Sequence, residues 1–257
     1  MSKNFYDKVA KKFGGYGYSR NNPKYITEFS NGIPEDEFKK HLLKLSGKDK
    51  IALDVGCGDC RFAFGIAKYF KEIIAIDNSA GLINIAKSKQ KESKNRNVKI
   101  LKTDANKIKF REKLFDVAFS RRGPTPYKKI VKALKEKGYF LVIGIGEKDA
   151  IDIKKIFDRG QNYGNWKNSI LKKGEKEANE AGFKTIFAKD YFYNQYYRTY
   201  NDLDLFLQGV PIFEDFDSEK DKKRLEKYVK KFKTNKGIRL FRHRIVFVFQ
   251  KAKNNSN

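Results

Sequence analysis

The chain has 257 residues, 40% of them hydrophobic and 14% aromatic, with 22 Phe and 14 Tyr. That composition excludes a disordered chain and fits one large domain, or one core with an appended subdomain. Lys and Arg exceed Asp and Glu by 57 to 31, a net charge of +26, which attracts nucleic acid or an anionic surface; many of these lysines alternate with acids, as in Ser218-Glu-Lys-Asp-Lys-Lys-Arg-Leu-Glu226, and read equally as a solvated face.

The first residues lack the apolar region of a secretion signal. No apolar run approaches the roughly 20 residues that span a bilayer. A cytoplasmic protein without a membrane span is expected. Residues 1–48 read as a helical N-terminal lid: 5–13 is amphipathic, glycines at 14–17 break it, and 34–45 returns to helical period with Pro34 near a first turn. From residue 51, short apolar strands (51–55, 73–76, 98–101, 115–119, 138–145) alternate with helices (61–70, 80–91, 127–137). This alternation predicts a parallel sheet covered on both faces. The last third reads as a helix at 169–181, a strand at 184–188, an aromatic cluster at 191–200 and a helix at 202–207. A loop at 209–217, a basic helix at 219–232 and a closing strand at 239–249 follow. The expected organisation is a lid (1–48), a core (49–190 and 238–251), an insertion on the acceptor side (191–237) and a tail (252–257).

The first core strand ends in Asp54 and runs through Gly56-Cys57-Gly58 into a helix. Glycines let the backbone turn sharply and approach a ligand. A dinucleotide fingerprint wants Gly or Ala at its sixth position, where this chain has Arg61, and Asp54 would oppose a pyrophosphate. A phosphate-cradling P-loop is excluded because no Gly-Lys-Ser/Thr follows. A nucleoside joined to a sulfonium amino acid carries an ammonium and no phosphate, so acids suit it. Asp77 ends the second strand and can accept from both ribose hydroxyls. Asp104 follows the third and can accept from an adenine amine, with the Ala105 N–H nearby and Leu82 and Ile108 to cover the ring. A single strand-end Asp is often only a turn former. Three at successive strand ends point to a ligand at the carboxyl edge of the sheet. Cys57 and Cys60 form a C-x-x-C, but a zinc site needs two more ligands, and His41 and His243 are at no metal spacing. The pair reads as small residues in a turn, and no metal is expected.

These segments resemble class I S-adenosylmethionine-dependent methyltransferases, especially the ubiquinone/menaquinone methylase-like (methyltransferase type 11) group. The matching text is Leu53-Asp-Val-Gly-Cys-Gly-Asp59, Ala75-Ile-Asp-Asn-Ser79, Thr103-Asp-Ala105, Phe115-Asp-Val-Ala-Phe-Ser120 and Leu134-Lys-Glu-Lys-Gly-Tyr-Phe140, with Phe5-Tyr-Asp-Lys-Val-Ala10 at the opening. The likeness covers residues 1–146. It implies an α/β fold: a Rossmann-like, doubly wound, seven-stranded sheet, mostly parallel with an antiparallel last strand. Helices are expected on both faces, and the segment 191–237, too long for a hairpin turn, is expected as an insertion before the last strand. The likeness implies S-adenosyl-L-methionine as cofactor, with contacts from Asp54, Gly56, Cys57, Gly58, Asp77, Asn78, Asp104, Ala105 and Ser120. The family often has a third glycine where this chain has Cys60.

On the acceptor side, the text Ser120-Arg-Arg-Gly-Pro-Thr-Pro126 follows the fourth strand. It lacks the Asp/Asn-Pro-Pro-aromatic motif of enzymes that methylate base amines. Arg121 and Arg122 can hold an acceptor carboxylate or phosphate through planar forks, or can be surface arginines. Tyr16, like Tyr6 and Tyr18, can line the pocket or simply pack. His41 and His243 read as structural, and no residue stands out as a general base. A methyltransferase acting on a small molecule is expected. An RNA methyltransferase using the basic surface and a non-catalytic cofactor-binding protein are the alternatives.

Overall fold

The structure, a computed structural model, describes residues 3–15, 23–93, 95–107 and 109–252. Tyr16, Tyr18 and Ile108 lie outside them. In chain order the elements are α1 (Lys3–Phe13), β1 (Tyr25–Phe29), α2 (Pro34–Lys44), β2 (Gly47–Val55), α3 (Arg61–Ile66, followed by a 3-10 turn), β3 (Phe70–Asp77), α4 (Ala80–Glu92), β4 (Val98–Lys102), β5 (Phe115–Arg121), α5 (Tyr127–Ala133), β6 (Leu134–Ile145), α6 (Ile151–Phe157), α7 (Ile170–Glu180), β7 (Phe183–Tyr197), α8 (Tyr200–Gly209), α9 (Lys222–Phe232), β8 (Lys233–Thr234) and β9 (Gly237–Lys251).

One sheet runs in the order β1-β7-β9-β6-β5-β2-β3-β4, with β8 paired to β9. Strands β4, β3, β2, β5 and β6 are parallel neighbours. The last strand, β9, is antiparallel to both β6 and β7, as expected. Two additions, β1 on the β7 edge and the short β8, make nine strands among the described residues instead of seven.

Successive side chains on a strand point to opposite faces, and here both faces are covered. Ile73 and Ala75 of β3, Leu141 and Ile143 of β6, and Val246 and Val248 of β9 join one core with Phe38 and Leu42 of α2 and Ile83 of α4. Phe140 and Val142 of β6 and Ile245 and Phe247 of β9 join a second core with Ile130 of α5 and Ala178 of α7. That is why these strands read as apolar runs rather than as alternation. A third core packs α6, α8 and α9 on the far ends of β7 and β9, through Phe157, Leu203, Tyr228 and Leu240.

The N-terminal 48 residues are not all helical. Tyr25–Phe29 is a strand, paired in register with β7. Helix α2 buries Phe38 and Leu42 completely, so it belongs to the sheet's core rather than to a lid. The aromatic cluster that read as the start of an insertion is the second half of β7, where Tyr191, Tyr193 and Tyr197 point inward on alternate residues. The inserted segment therefore begins after Tyr197 and ends before Gly237. Helices α3 and α5 are shorter than their apolar periodicity, because Phe70 and Leu134 already start the next strands.

Helix α1 is the element that crosses the open edge. Its Asp7 carboxylate accepts from the Ser79 hydroxyl (2.6 Å) and the Gly81 N–H (3.0 Å). An acid in that place satisfies free donors at the start of α4 and favours its dipole. Phe5, Val9 and Phe13 bury the other face of α1 beside Leu205 of α8. Gly81 makes the approach possible, since a Cβ there would lie 2.9 Å from the Ala10 Cβ. A Gly81→Val variant should release α1. Trypsin should then cut at Lys8, Lys11 or Lys12 at least about fivefold faster, with little change in the urea midpoint of the core. An unchanged cleavage rate would contradict this docking.

Candidate active site

From β2 the chain crosses to β3 and β4 on one side, then returns to β5 on the other. This reversal opens a crevice at the carboxyl ends of β2 and β5, the usual ligand position in open α/β sheets. The glycine turn lies there. Gly56 and Gly58 have φ of 78° and 57°. The Gly56 and Cys57 N–H groups both donate to the Ile76 carbonyl (2.9 and 3.0 Å), tying the turn to β3. A Cβ on Gly56 would come within 3.0 Å of Pro124 Cδ and 3.2 Å of Gly123 Cα, so the loop after β5 closes on a bare backbone.

Cys60, in the position of the family's third glycine, is fully buried and left-handed (φ 57°). A side chain in that conformation costs about 1–2 kcal/mol, which accounts for the usual glycine. Both cysteines are free thiols. A hydrogen bond that the Cys57 thiol donates to Cys60, together with burial, pushes the Cys57 thiol well above its ordinary pKa, so it is a poor thiolate nucleophile. Among the described residues no group of His, Cys, Asp or Glu could hold a metal.

Three acids meet at this edge. Asp77 accepts from the Gly58 N–H through Oδ2 and from the Ser79 N–H through Oδ1, both at 2.9 Å. It thus joins the turn to the start of α4, and each oxygen keeps a lone pair for a ligand. Burial raises its pKa. Asp54 is 3% exposed. Burial pushes its carboxyl up to about 7; Arg121 opposes the shift and Asp77 adds to it. Asp104 is half-buried and accepts from the Asn106 N–H (2.8 Å). A fourth acid, Asp59, is held by Lys89 (2.6 Å) and Arg61 (3.0 Å). Arg61, which breaks the dinucleotide pattern, is therefore committed to an ion pair.

Asp54, Gly56, Cys57, Gly58, Asp77, Asn78, Asp104 and Ala105 all line one cleft of about 820 Å³, with Leu82 and Tyr6. Ser120 does not. It is fully buried beneath the loop, with its hydroxyl 3.1 Å from where a Gly123 Cβ would stand. The cleft suits a nucleoside joined to an amino acid: bare backbone at Gly56, carboxylates for hydroxyls and an ammonium, and no arrangement for a pyrophosphate.

Arg121 and Arg122 line the cleft too, but neither is a surface arginine. Arg121 donates to Glu35 Oε2 (2.8 Å) and stacks over the Phe62 ring (4.0 Å), and Arg122 bonds the other oxygen of the same carboxylate. Burial works against the Glu35 charge, yet Arg122 and Arg121 outweigh it and bring its pKa down to about 2. Glu35 of this bridge lines a second, adjoining cavity of about 390 Å³, which Tyr6, Arg121 and Arg122 also line.

The second cavity was missed in the sequence. Its walls come from β1 (Tyr25, Phe29), β7 (Tyr193, Gln195), β9 (Arg242, Arg244) and α8 (Phe206). The available signal was the spacing of Arg242 and Arg244, two cations on one face of an otherwise apolar strand. Both bind the buried Asp149 carboxylate, at 2.9 and 2.7 Å. The two histidines line neither cavity. His243 is 1% exposed and bonded to Asp190 (2.7 Å), and His41 packs on Phe187.

A family model described as "Methyltransferase domain" matches residues 46–199. Solved structures share the fold. A candidate methyltransferase from Bacillus halodurans C-125 has 18% identity and a TM-score of 0.60 over 85% of this chain and 100% of that one. A candidate sarcosine dimethylglycine methyltransferase from Galdieria sulphuraria has 16% identity and a TM-score of 0.58 over 97% and 98%. The geranyl diphosphate C-methyltransferase of Streptomyces coelicolor A3(2), solved with S-adenosyl-L-homocysteine, has 11% identity and a TM-score of 0.52 over 85% and 77%. No curated protein sequence matches the chain. Fold and cleft together define a class I, Rossmann-like enzyme that uses S-adenosylmethionine. The chain belongs to the methyltransferase domain family.

Asp54 keeps its proton up to about 7 in the folded chain, against 3.8 for an ordinary aspartate. Between those values the folded chain binds more protons than the unfolded one, so this group lowers stability as pH rises. The shift corresponds to at most about 4 kcal/mol. Without cofactor, the stability of the wild type relative to Asp54→Asn, read by urea unfolding, should fall from about pH 5 to about pH 7.5. A difference independent of pH would contradict the burial of this carboxyl.

Proposed function

We propose that the enzyme transfers a methyl group to a small molecule held in the second cavity. The observation that carries this reading is the shared wall: Tyr6, Arg121 and Arg122 line both spaces. A cofactor in one therefore faces an acceptor in the other. The bound cofactor supplies a methyl group already activated on a sulfonium. The chain's own residues have to bind, orient and exclude water. We assign Asp77 to the ribose hydroxyls, Asp54 to the ammonium, Asp104 and the Ala105 N–H to the adenine edge, and Leu82 to its face. Gly56, Cys57, Gly58 and Asn78 shape the backbone cradle around them.

Helix α1 serves as the lid, anchored through Asp7 and bringing Tyr6 to the edge of both cavities. The inserted segment after β7 supplies Phe206 and Val210 to the second cavity, which supports an acceptor-side role for it. The two carboxylates there, Glu35 and Asp149, are held far on the ionised side by arginines. They are weak bases, so the acceptor atom has to be nucleophilic in its own right. A cavity of about 390 Å³, at the low end for small-molecule sites, favours a metabolite-sized acceptor. The opening helix and the motif text support a place near the ubiquinone/menaquinone methylase-like group. No helix among the described residues is long and apolar enough to cross a membrane.

Asp77→Ala should weaken cofactor binding at least about 100-fold by titration calorimetry, since two charge-assisted hydrogen bonds are lost. Asp77→Asn, which keeps one acceptor, should fall between; equal affinity in all three proteins would remove Asp77 from the site. With methyl-labelled cofactor and a fractionated cell extract, label should enter small metabolites. Label confined to RNA would overturn the small-molecule reading, and binding without any transfer would overturn the transferase reading.

A further inference from the structure

The second cavity is strongly charged for its size. Four guanidinium groups line it, from Arg121, Arg122, Arg242 and Arg244, against two carboxylates, Glu35 and Asp149. Close beneath, the Lys154 ammonium is buried and donates to the Asp149 carbonyl (2.7 Å). The internal ion pairs thus leave positive charge over, in a space where an unbalanced charge is costly.

The four arginines are not equivalent. Arg121 and Arg122 are held on Glu35; the buried Arg121 Nε, like that of Arg244, has no hydrogen-bond partner among the described residues, but Arg121 also lines the cofactor cleft, whereas Arg244 lines the second cavity alone. Arg242 is spent on neighbours: Nε and Nη2 bond Asp149 (2.9 and 3.3 Å), and Nη1 bonds Gln195 Oε1 (2.7 Å). Arg244 differs. It is 5% exposed, its Nη1 reaches Asp149 (2.7 Å) and the His243 carbonyl (2.8 Å), and its buried Nε has no hydrogen-bond partner among the described residues. Buried polar groups in native structures are almost always satisfied, and a guanidinium N–H is satisfied best by a charged oxygen. Gln195 adds to the same face. Its Oε1 accepts from both Arg242 and the Tyr197 hydroxyl (3.1 Å), which leaves its amide NH₂ as a donor at the cavity.

The other walls are flat and aromatic. Phe29 and Tyr193 lie against each other (5.2 Å between ring centres), Arg244 lies over Tyr193 (5.9 Å), and Arg242 over Phe206 (5.1 Å). Cation and ring alternate here, as a site for an anion attached to a planar apolar body requires.

We propose that the second cavity binds an acceptor bearing an anionic oxygen group, a carboxylate or a phosphate monoester, on a planar apolar body, with Arg244 as the direct ligand of the anion and with Asp149 and Arg242 as positioning residues. This rests on the cavity being the acceptor site of the methyltransferase. The cofactor does not account for the Arg244 N–H, since Arg244 lines the second cavity and not the cofactor cleft.

The test titrates benzoate, phenyl phosphate and neutral benzamide into the protein saturated with S-adenosylhomocysteine. At least one anion should bind at least about tenfold more tightly than benzamide, a difference of about 1.4 kcal/mol. Preference between the two anions identifies the group. Arg244→Gln should abolish that preference, and Arg244→Lys should restore part of it, while S-adenosylhomocysteine affinity stays unchanged in both. Equal binding of anions and benzamide, no binding of any probe, or an anion preference that survives in a folded Arg244→Gln protein would overturn the proposal. Failure of the underlying reading looks different: anions bind through Arg244, yet no methyl reaches any acceptor in the labelled extract.

Discussion

A carboxylate buried under the point where the sheet reverses direction governs this molecule. Asp54 is the next-to-last residue of β2, the strand from which the chain departs to one side and on whose other side β5 later pairs. At 3% exposure the charged form is badly solvated. The surroundings moderate this cost without removing it: Arg121 helps and Asp77 hinders. The proposed cofactor pose would bring an ammonium to this place and resolve the conflict, since acids that are unfavourable neighbours of each other become complementary when a cation lies between them. The bare Gly56 backbone, the tie from Asp77 to Gly58 and the close approach of Pro124 all hold the turn in the shape that keeps Asp54 at the floor of the cleft.

The same economy of charge extends across the Glu35 bridge. Helix α2 was expected in a lid, yet it lies in the core, and that is what lets its first turn reach Arg121 and Arg122. Arg121 influences Asp54 on one side and lines the second cavity on the other. The two spaces are therefore linked electrostatically as well as by their shared wall. Much of the net charge of +26 lies in solvated lysines, such as those of α9, several of which the sequence already pairs with acids. The positive charge inside the second cavity is instead enclosed among buried side chains.

The cofactor side was legible because its signals are local. A glycine turn after an apolar strand, and acids at three successive strand ends, can be read within a few residues of each other, and eight of the nine residues named for it line one cleft. Ser120 is the exception: it does not line the cleft, and its buried hydroxyl lies close to Gly123, a placement that the sequence of a strand end does not specify. The second cavity was not legible, because it is assembled at long range. Arg121 meets Glu35 from 86 positions away, and Arg242 meets Asp149 from 93. Strand β1 is short and mostly exposed, so it has no apolar periodicity to betray it. The second half of β7 does alternate, but its aromatics dominated the reading and made a strand look like an inserted cluster. Helix α6, with only seven residues, left no clear period.

The most direct measurement is the proton balance of cofactor binding. S-adenosylmethionine is titrated calorimetrically at about pH 6 in buffers of different ionisation enthalpy, with wild type and Asp54→Asn. At that pH the empty cleft holds Asp54 largely protonated, and an arriving ammonium should expel the proton. Wild type should release close to one proton per cofactor bound, and Asp54→Asn close to none. Equal proton release from the two proteins, or none from either, would mean that the buried carboxylate is not the partner of the cofactor's ammonium.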